Sequence, residues 1–398
     1  MKRLLAASAV LVAMLVLAAC GSSSSSRSSS SGSTTTAAAG GSDTAFAKVL
    51  DEAKGQTVRW WMYGGDPKIN SYVNRFVKPA AAKLGVRLQV VPVSDTVDAV
   101  NRVVAERKAG KTSGGGVDLI WINGENFASG KPVGLWLKDW ASSLPNAKYV
   151  DEASPLIAKD FQVAVDGQES PWSGAGFIYA YDQAKVPQPP KTFQELLTWA
   201  KAHPGRFAYP APPDYTGSAF VRQVIQRLGS QAKGLAYLKE LKPYTYKQGK
   251  IYPKSEQELD QLFADGQVDF TMSYDSNFVN LGVEKHQFPT TTRPFLIGGG
   301  ALQNTSYVTI PANAAHVAGA KVVANLLLSP TLQARKQDPK ILGIPTVLSL
   351  GRLPAATRKL FATASNPYVL ASLGTPLNEL PASDVAPIEK AWTSQVLR

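Results

Sequence analysis

The apolar positions of this chain form one unbroken block at the start and then switch between a two-residue and a helical period. From Leu4 to Ala19 every residue is apolar except Ser8, and Lys2 and Arg3 precede the block. It is shorter than the roughly 20 residues that span a bilayer. With its basic lead-in it reads as a signal peptide over residues 1–19 rather than a spanning helix. Thr57 to Tyr63 then alternates as a strand, with Val58, Trp60 and Met62 on one face. Gly64-Gly65 breaks it, and Asp66 followed by Pro67 opens a helix as cap and first residue. Ile69, Tyr72, Val73, Phe76 and Val77 recur at helical spacing, and Gly85 ends the pattern. Val86 to Val93 is a second strand and Thr96 to Ala109 a second helix, with Val97, Val100 and Val104 on one side. The turn Gly114–Gly116 leads into Val117–Ile122, nearly all apolar, as in a strand buried on both faces. The order β-α-β-α-β predicts a parallel sheet between helices, with ligands beyond the carboxyl ends of the strands. Two polar segments fall there, Tyr63-Gly64-Gly65-Asp66 and Asn123-Gly124-Glu125-Asn126.

A second α/β region follows. Pro171 to Tyr181 is apolar, aromatic and interrupted by glycine, and Pro187-Gln188-Pro189-Pro190 stops it. Thr192-Phe193-Gln194-Glu195 and Ser255-Glu256-Gln257-Glu258 are capping boxes that open helices. Asp214-Tyr215-Thr216-Gly217-Ser218 precedes another, carried by Phe220, Val221, Val224, Ile225 and Leu228, which Thr216 or Ser218 is expected to cap. Val268, Phe270 and Met272 alternate as a strand whose far end carries Tyr274-Asp275-Ser276-Asn277. Tyr307–Ile310 reads as a short strand, Ala314–Leu328 as a helix, and Ser329-Pro330 as the opening of the next. The remaining tail is predicted to wrap the first region.

Composition narrows the picture. The chain has 398 residues, a formal net charge of +12 and one cysteine. The Lys and Arg residues are scattered with no basic run, so the charge gives no reason to expect nucleic acid; attraction to anionic lipid explains it more simply. The lone Cys20 has no second thiol for a disulfide or a zinc site. Residues 21 to about 42 are Ser, Thr, Gly and Ala with Arg27 and, just beyond, Asp43 as charges. Such a segment cannot bury enough apolar surface to fold. As a flexible tether of residues 20–43 it reaches about 25 Å root-mean-square. His203, His286 and His316 have no ligand spacing, so no metal is expected, and no cofactor.

Leu17-Ala18-Ala19-Cys20 resembles a bacterial lipobox, which implies that Cys20 carries a diacylglyceryl group and anchors the chain outside the cell membrane. Two acyl chains suffice for stable attachment. The strand ending in Tyr63-Gly64-Gly65, Asp118-Leu119-Ile120-Trp121, Pro171-Trp172-Ser173-Gly174 and Pro189-Pro190-Lys191-Thr192-Phe193 resemble an extracellular solute-binding protein of ABC importers. So do Asn304-Thr305-Ser306-Tyr307, Ile310-Pro311-Ala312-Asn313-Ala314 and Ala324 to Pro330. Trp121 to Phe127, Pro204-Gly205-Arg206-Phe207 and Pro212-Pro213-Asp214 place the likeness nearest the YnjB-like group. The resemblance covers roughly residues 56 to 350. It implies a type II periplasmic-binding-protein fold: two α/β lobes joined by two crossing strands, with the solute in the cleft. Lobe 1 is expected over 44–175, lobe 2 over 176–290, and the return with C-terminal helices over 291–398, hinged near 175–182 and 288–300. The implied partners are a small solute, an ABC permease and its ATPase, with the chain a monomer and no enzyme.

Each candidate binding residue also has a plainer reading. Gly64-Gly65 before a helix end can offer N–H groups to an anion, or simply make a turn. Asn123, Gly124, Glu125 and Asn126 can bind a solute, or form a solvated loop. Asp214, Tyr215, Gly217 and Ser218 can present a helix end, or only cap it. Trp172 and Tyr274 can stack on a solute, or sit in the core; Trp60 and Trp61 alternate, so at most one faces the cleft. Tyr63, Asp66, Asp275, Ser276 and Asn277 are expected in the cleft by position. A lipid-anchored hydrolase and an envelope scaffold are the rivals; no G-x-S-x-G or H-E-x-x-H supports the first.

Overall fold

The computed structural model describes residues 38–362 and 365–398. The segment read as a signal peptide, Cys20 and the Ser-rich stretch to residue 37 lie outside the described residues. The tether expected to reach residue 43 ends sooner, because helix α1 (Ala38–Ala53) begins within it. Phe46 and Ala53 are buried where α1 packs on the helix Val317–Leu327. This helix was not anticipated, since its glycine-rich first turns read as linker.

Strand β1 (Thr57–Tyr63) buries Val58, Trp60 and Met62 completely, as its alternation predicts. The Asp66 carboxylate caps α2 (Pro67–Tyr72), accepting from the N–H groups of Lys68 at 2.7 Å and Ile69 at 3.2 Å. The helix continues through a π-helical turn, Val73–Val77, into α3 (Lys78–Lys83). β2 (Arg87–Val93) pairs parallel with β1; Asp95 caps α4 (Thr96–Lys108); β3 (Leu119–Ile122) pairs parallel with the other edge of β1. α5 (Glu125–Gly130) starts directly beyond β3. An irregular stretch brings α6 (Pro155–Ala158) and the small hairpin β4 (Lys159–Asp160) and β5 (Val163–Ala164).

The apolar run from Pro171 to Tyr181 falls into two strands. β6 (Glu169–Gly176) belongs to the first sheet and β7 (Ile178–Asp182) to the second, so the chain changes lobe at Phe177. Helices α7 (Phe193–Ala202), α8 (Tyr215–Leu228), α9 (Gln231–Leu241) and α10 (Glu256–Ala264) follow. β8 (Phe270–Ser273), α11 (Phe278–Glu284) and β9 (Thr292–Phe295) complete lobe 2, where β7 lies between β8 and β9, antiparallel to both. Thr192 and Ser255 cap α7 and α10 as predicted, accepting from Glu195 N–H at 3.1 Å and Glu258 N–H at 3.2 Å. α8 is capped by Asp214, not by Thr216 or Ser218: the Asp214 carboxylate accepts from Gly217 N–H at 2.9 Å, while Thr216 and Ser218 already lie inside the helix and donate to Glu256 and Glu389.

β10 (Leu302–Thr309) carries the chain back, antiparallel to both β3 and β6. It is longer than the strand expected, because its first half is held by β6, a pairing without a local signal. The return falls at Leu296–Ala301, after β9 rather than at residue 291. α12 (Val317–Leu327), α13 (Pro330–Gln337, capped by Ser329) and α14 (Ala355–Arg358) cover lobe 1.

The tail corrects a further expectation. Phe361 joins the lobe 1 core, but Tyr368, Leu373, Leu380, Ile388, Trp392 and Val396 pack on lobe 2. Between them β11 (Leu377–Asn378) pairs parallel with the start of β10, at the crossing. α15 (Ala382–Trp392) then seats Trp392 against Tyr252, with Nε1 donating to the Tyr209 hydroxyl at 3.1 Å. Its apolar residues at helical spacing needed a partner, and the aromatic face of lobe 2 supplies one.

Candidate functional site

The carboxyl ends of β1 and β3, the start of α8, the end of β8 and the middle of β10 meet around one cavity of about 790 Å³. Lobe 1 contributes Tyr63, Asp66, Asp95, Trp121 and the whole of Asn123–Asn126. Lobe 2 contributes Tyr215, Ser218, Arg222 and Tyr274, and the returning strand adds Asn304 and Ser306. Phe161 from the β4–β5 turn and Val385, Ala386 and Glu389 from α15 complete the walls.

A buried polar network supports the lobe 2 side. Arg222 is 1% exposed and forms a two-pronged ion pair with Glu379, at 2.8 and 3.0 Å. Its third arm donates to Ser218 Oγ at 2.6 Å, and Ser218 donates in turn to Glu389 at 2.6 Å. Tyr274 donates its hydroxyl to Glu379. Burial alone would loosen the proton on Arg222, but the Glu379 charge outweighs it and raises the guanidinium above its ordinary value. Burial, then the same carboxylate, pushes the Tyr274 phenol well up, so it stays a donor. Asn304 Nδ2 donates to the Tyr215 hydroxyl at 2.9 Å, while Asn304 Oδ1 has no partner. On the lobe 1 side Asp160, 2% exposed, accepts from Gly124 N–H at 2.6 Å. Burial lifts its carboxyl to about 7 despite that bond. Burial and then the facing Glu389 raise Glu125 as well.

Residues 74–357 match the model of a family described as bacterial extracellular solute-binding protein. The Escherichia coli (strain K12) protein YnjB is 38% identical over 329 residues, 78% of this chain and 84% of YnjB. The chain belongs to the bacterial extracellular solute-binding proteins. A putative extracellular solute-binding protein from Bordetella parapertussis superposes with a TM-score of 0.67 at 13% identity, covering 85% of this chain and 98% of that one. The periplasmic binding protein AfuA from Actinobacillus pleuropneumoniae, with fructose-6-phosphate bound, gives 0.59 at 14% identity over 86% and 98%. These likenesses show the fold, two α/β lobes of the type II periplasmic-binding-protein class. Family membership places the chain among binding proteins rather than enzymes.

Within this solute-binding fold the sequence-derived candidates divide. Tyr63, Asp66, Asn123, Gly124, Glu125, Asn126, Tyr215, Ser218 and Tyr274 line the cavity together. Gly64 and Gly65 do not line it. A side chain on Gly64 would meet Pro92 at 2.5 Å, and one on Gly65 would strike the folded-back Tyr63 ring. Gly64 N–H is spent on Val93 O and so is not offered to a solute. Gly217 is required by packing, since a Cβ there would overlap the Pro210 carbonyl, and Asp214 is the α8 cap. Trp172 is core: it is wholly buried and set edge-on to Trp60 and Trp121 at 5.8 and 4.9 Å. Neither Trp60 nor Trp61 lines the cavity.

Asp275, Ser276 and Asn277 turn away from it. Asp275, lifted to about 6 by burial, accepts from Asn277 N–H at 2.8 Å. Asn277 Nδ2 donates to the carbonyls of Pro339 and Leu342, and so joins lobe 2 to lobe 1 outside the cleft. Ser276 is 7% exposed beside it.

Arg222, Asn304, Ser306, Phe161, Glu379 and Glu389 were missed. Arg222 did carry a signal, an arginine seven residues after Tyr215 and four after Ser218, on one helical face. The others come from the unexpected first half of β10, a loop and the tail. Among the described residues no three His, Cys, Asp or Glu side chains group to hold a metal, and no helix is long and apolar enough to cross a membrane.

Proposed function

We propose that this solute-binding protein is a lipid-anchored extracytoplasmic receptor that closes on one small polar solute and presents it to an ABC permease driven by its ATPase. The observation that carries this reading is the cavity itself. Its volume suits a small molecule, and its polar groups come from both lobes and the returning strand, so full contact with a solute needs both walls at once. The site is complete within one chain, which supports a monomer. The lipobox-like Leu17-Ala18-Ala19-Cys20 and the Ser-rich stretch behind it support a two-chain lipid anchor as the only membrane attachment.

Thermal shift identifies the solute: at a concentration 100 times Kd, binding adds about 2.7 kcal/mol to stability and raises Tm measurably. Tyr274→Ala and Asn126→Ala, from opposite walls, should each weaken that solute by about 5- to 150-fold in calorimetry. Wild-type affinity in both variants would move the site out of this cleft. For the anchor, Cys20→Ser should abolish labelling by a palmitate analogue in growing cells; a labelled variant overturns lipidation at Cys20.

A further inference from the structure

Fixed charge in the cleft is one-sided. Four carboxylates line it, Asp66, Asp95, Glu125 and Glu389, against a single Lys or Arg side chain, Arg222. Arg222 is already matched by Glu379 and is 1% exposed. Glu125 has no hydrogen-bond or ion-pair partner among the described residues, and Glu389 accepts only from Ser218. This acidity stands in a chain whose net charge is +12, so it is local and opposes the whole.

The usual anion-binding device, a helix N-terminus with free N–H groups, is already capped by an aspartate at three of the helices that open on this cleft. Asp66 occupies the start of α2, Asp95 that of α4 and Asp214 that of α8, and α5, which has no side-chain cap, carries the Glu125 carboxylate in its own first turn. An anionic solute would meet the Asp66, Asp95 and Glu125 carboxylates at the helix ends of lobe 1. Asn304 Oδ1, in a side chain 7% exposed, is an acceptor with no donor. Aromatic exposure points the same way. Among the described residues only Tyr63, at 43%, and Tyr215, at 48%, are aromatic side chains with strongly exposed rings, and both line this cleft from opposite lobes. A cation is attracted to such ring faces and to unpaired carboxylates together.

We infer that the solute is an organic cation with a flat ring or N–H donors, its charge met by Glu125 and Glu389 and its body by Tyr63 and Tyr215. This step rests on the solute-binding reading. A bare metal ion fits less well, because no metal-holding group of carboxylates or histidines occurs among the described residues.

The test uses the full chain in mild detergent and probes that share one ring: cationic 1-methylnicotinamide, neutral nicotinamide and anionic nicotinate, with benzyltrimethylammonium as a second cation. Calorimetry should show both cations binding about tenfold or more tightly than nicotinamide or nicotinate, and Glu125→Gln with Glu389→Gln should cost the cations about tenfold. Both substitutions keep side-chain shape, and a cooperative melt confirms that the double variant folds. Preference for the neutral or anionic probe, no binding of either cation, or unchanged cation affinity in the double variant overturns the assignment. Mass spectrometry of small molecules released on denaturing the purified chain separates the two levels. A retained neutral or anionic solute defeats the cation class and leaves solute binding intact. An empty chain that answers no probe defeats both.

Discussion

Arg222 and Glu379 show how single residues hold this cleft. An arginine at 1% exposure and a glutamate at 4% survive burial only because each meets the other with well-formed bonds, and because Ser218 and Tyr274 satisfy what remains. Removing one charge strands the other. Arg222→Met should therefore cost about 3–5 kcal/mol, and Glu379→Met in the same chain should restore most of it, because an apolar pair carries no unmatched charge. Denaturant unfolding of the two single variants and the double variant measures this. A double variant no more stable than Arg222→Met would show that the pair is not the source of the loss. Glycines illustrate the opposite difficulty. Gly64, Gly65 and Gly217 looked like places where backbone meets solute, and each is instead where backbone meets neighbouring protein atoms. A glycine in sequence reports that something comes close; what comes close is a tertiary fact.

Elements were legible where their cause was local. The first β-α-β-α-β run, its Asp66 cap and the hydroxyl caps at Thr192 and Ser255 all depend on residues within a few positions of one another, and all appear as read, with Glu195 and Glu258 reaching back one residue further than a capping box, to the Lys191 and Lys254 N–H groups. Elements held by distant partners were not. The first half of β10 exists because β6 lies beside it. α15 sits on lobe 2 because Tyr209 and Tyr252 make an aromatic seat for Trp392, more than a hundred residues away in sequence. That placement brings Glu389 to the cleft and Glu379 to Arg222, so the last part of the chain, read as a wrapping for lobe 1, becomes part of the wall opposite it.

For the molecule as a whole, three connections cross between the lobes: the junction at Phe177, the Leu296–Ala301 return and the C-terminal passage through β11. The return contains Gly298 and Gly299 at φ of +76° and +78°, a conformation that side chains resist. Ala301 N–H and O and Gly299 O bond to residues 373–377, tying the third connection to the second. Opening the cleft must also release Asn277 from the Pro339 and Leu342 carbonyls and separate Lys68 from Glu284. The lobes are thus expected to move as two bodies. X-ray scattering should show a smaller radius of gyration with saturating solute than without; identical profiles would argue for a cleft that does not close.

What the sequence determined by itself was the class of molecule. Period, caps and motif order identified the alternating elements and their family, and position at strand ends located Tyr63, Asn123–Asn126 and Tyr274 in the cleft. These follow from short-range rules: a side chain's face along a strand, a cap three residues from its N–H, a ligand site at the end of a parallel sheet. Only the tertiary structure decided the character of the site. Whether Trp172 stacks on solute or on Trp60, whether the Gly124 N–H is free or already held by Asp160, and whether Arg222 is an open cation or a matched one all depend on groups far apart in sequence. Charge and hydrogen-bonding capacity are inherited from residues one at a time, but what remains unspent is fixed only when every neighbour is in place.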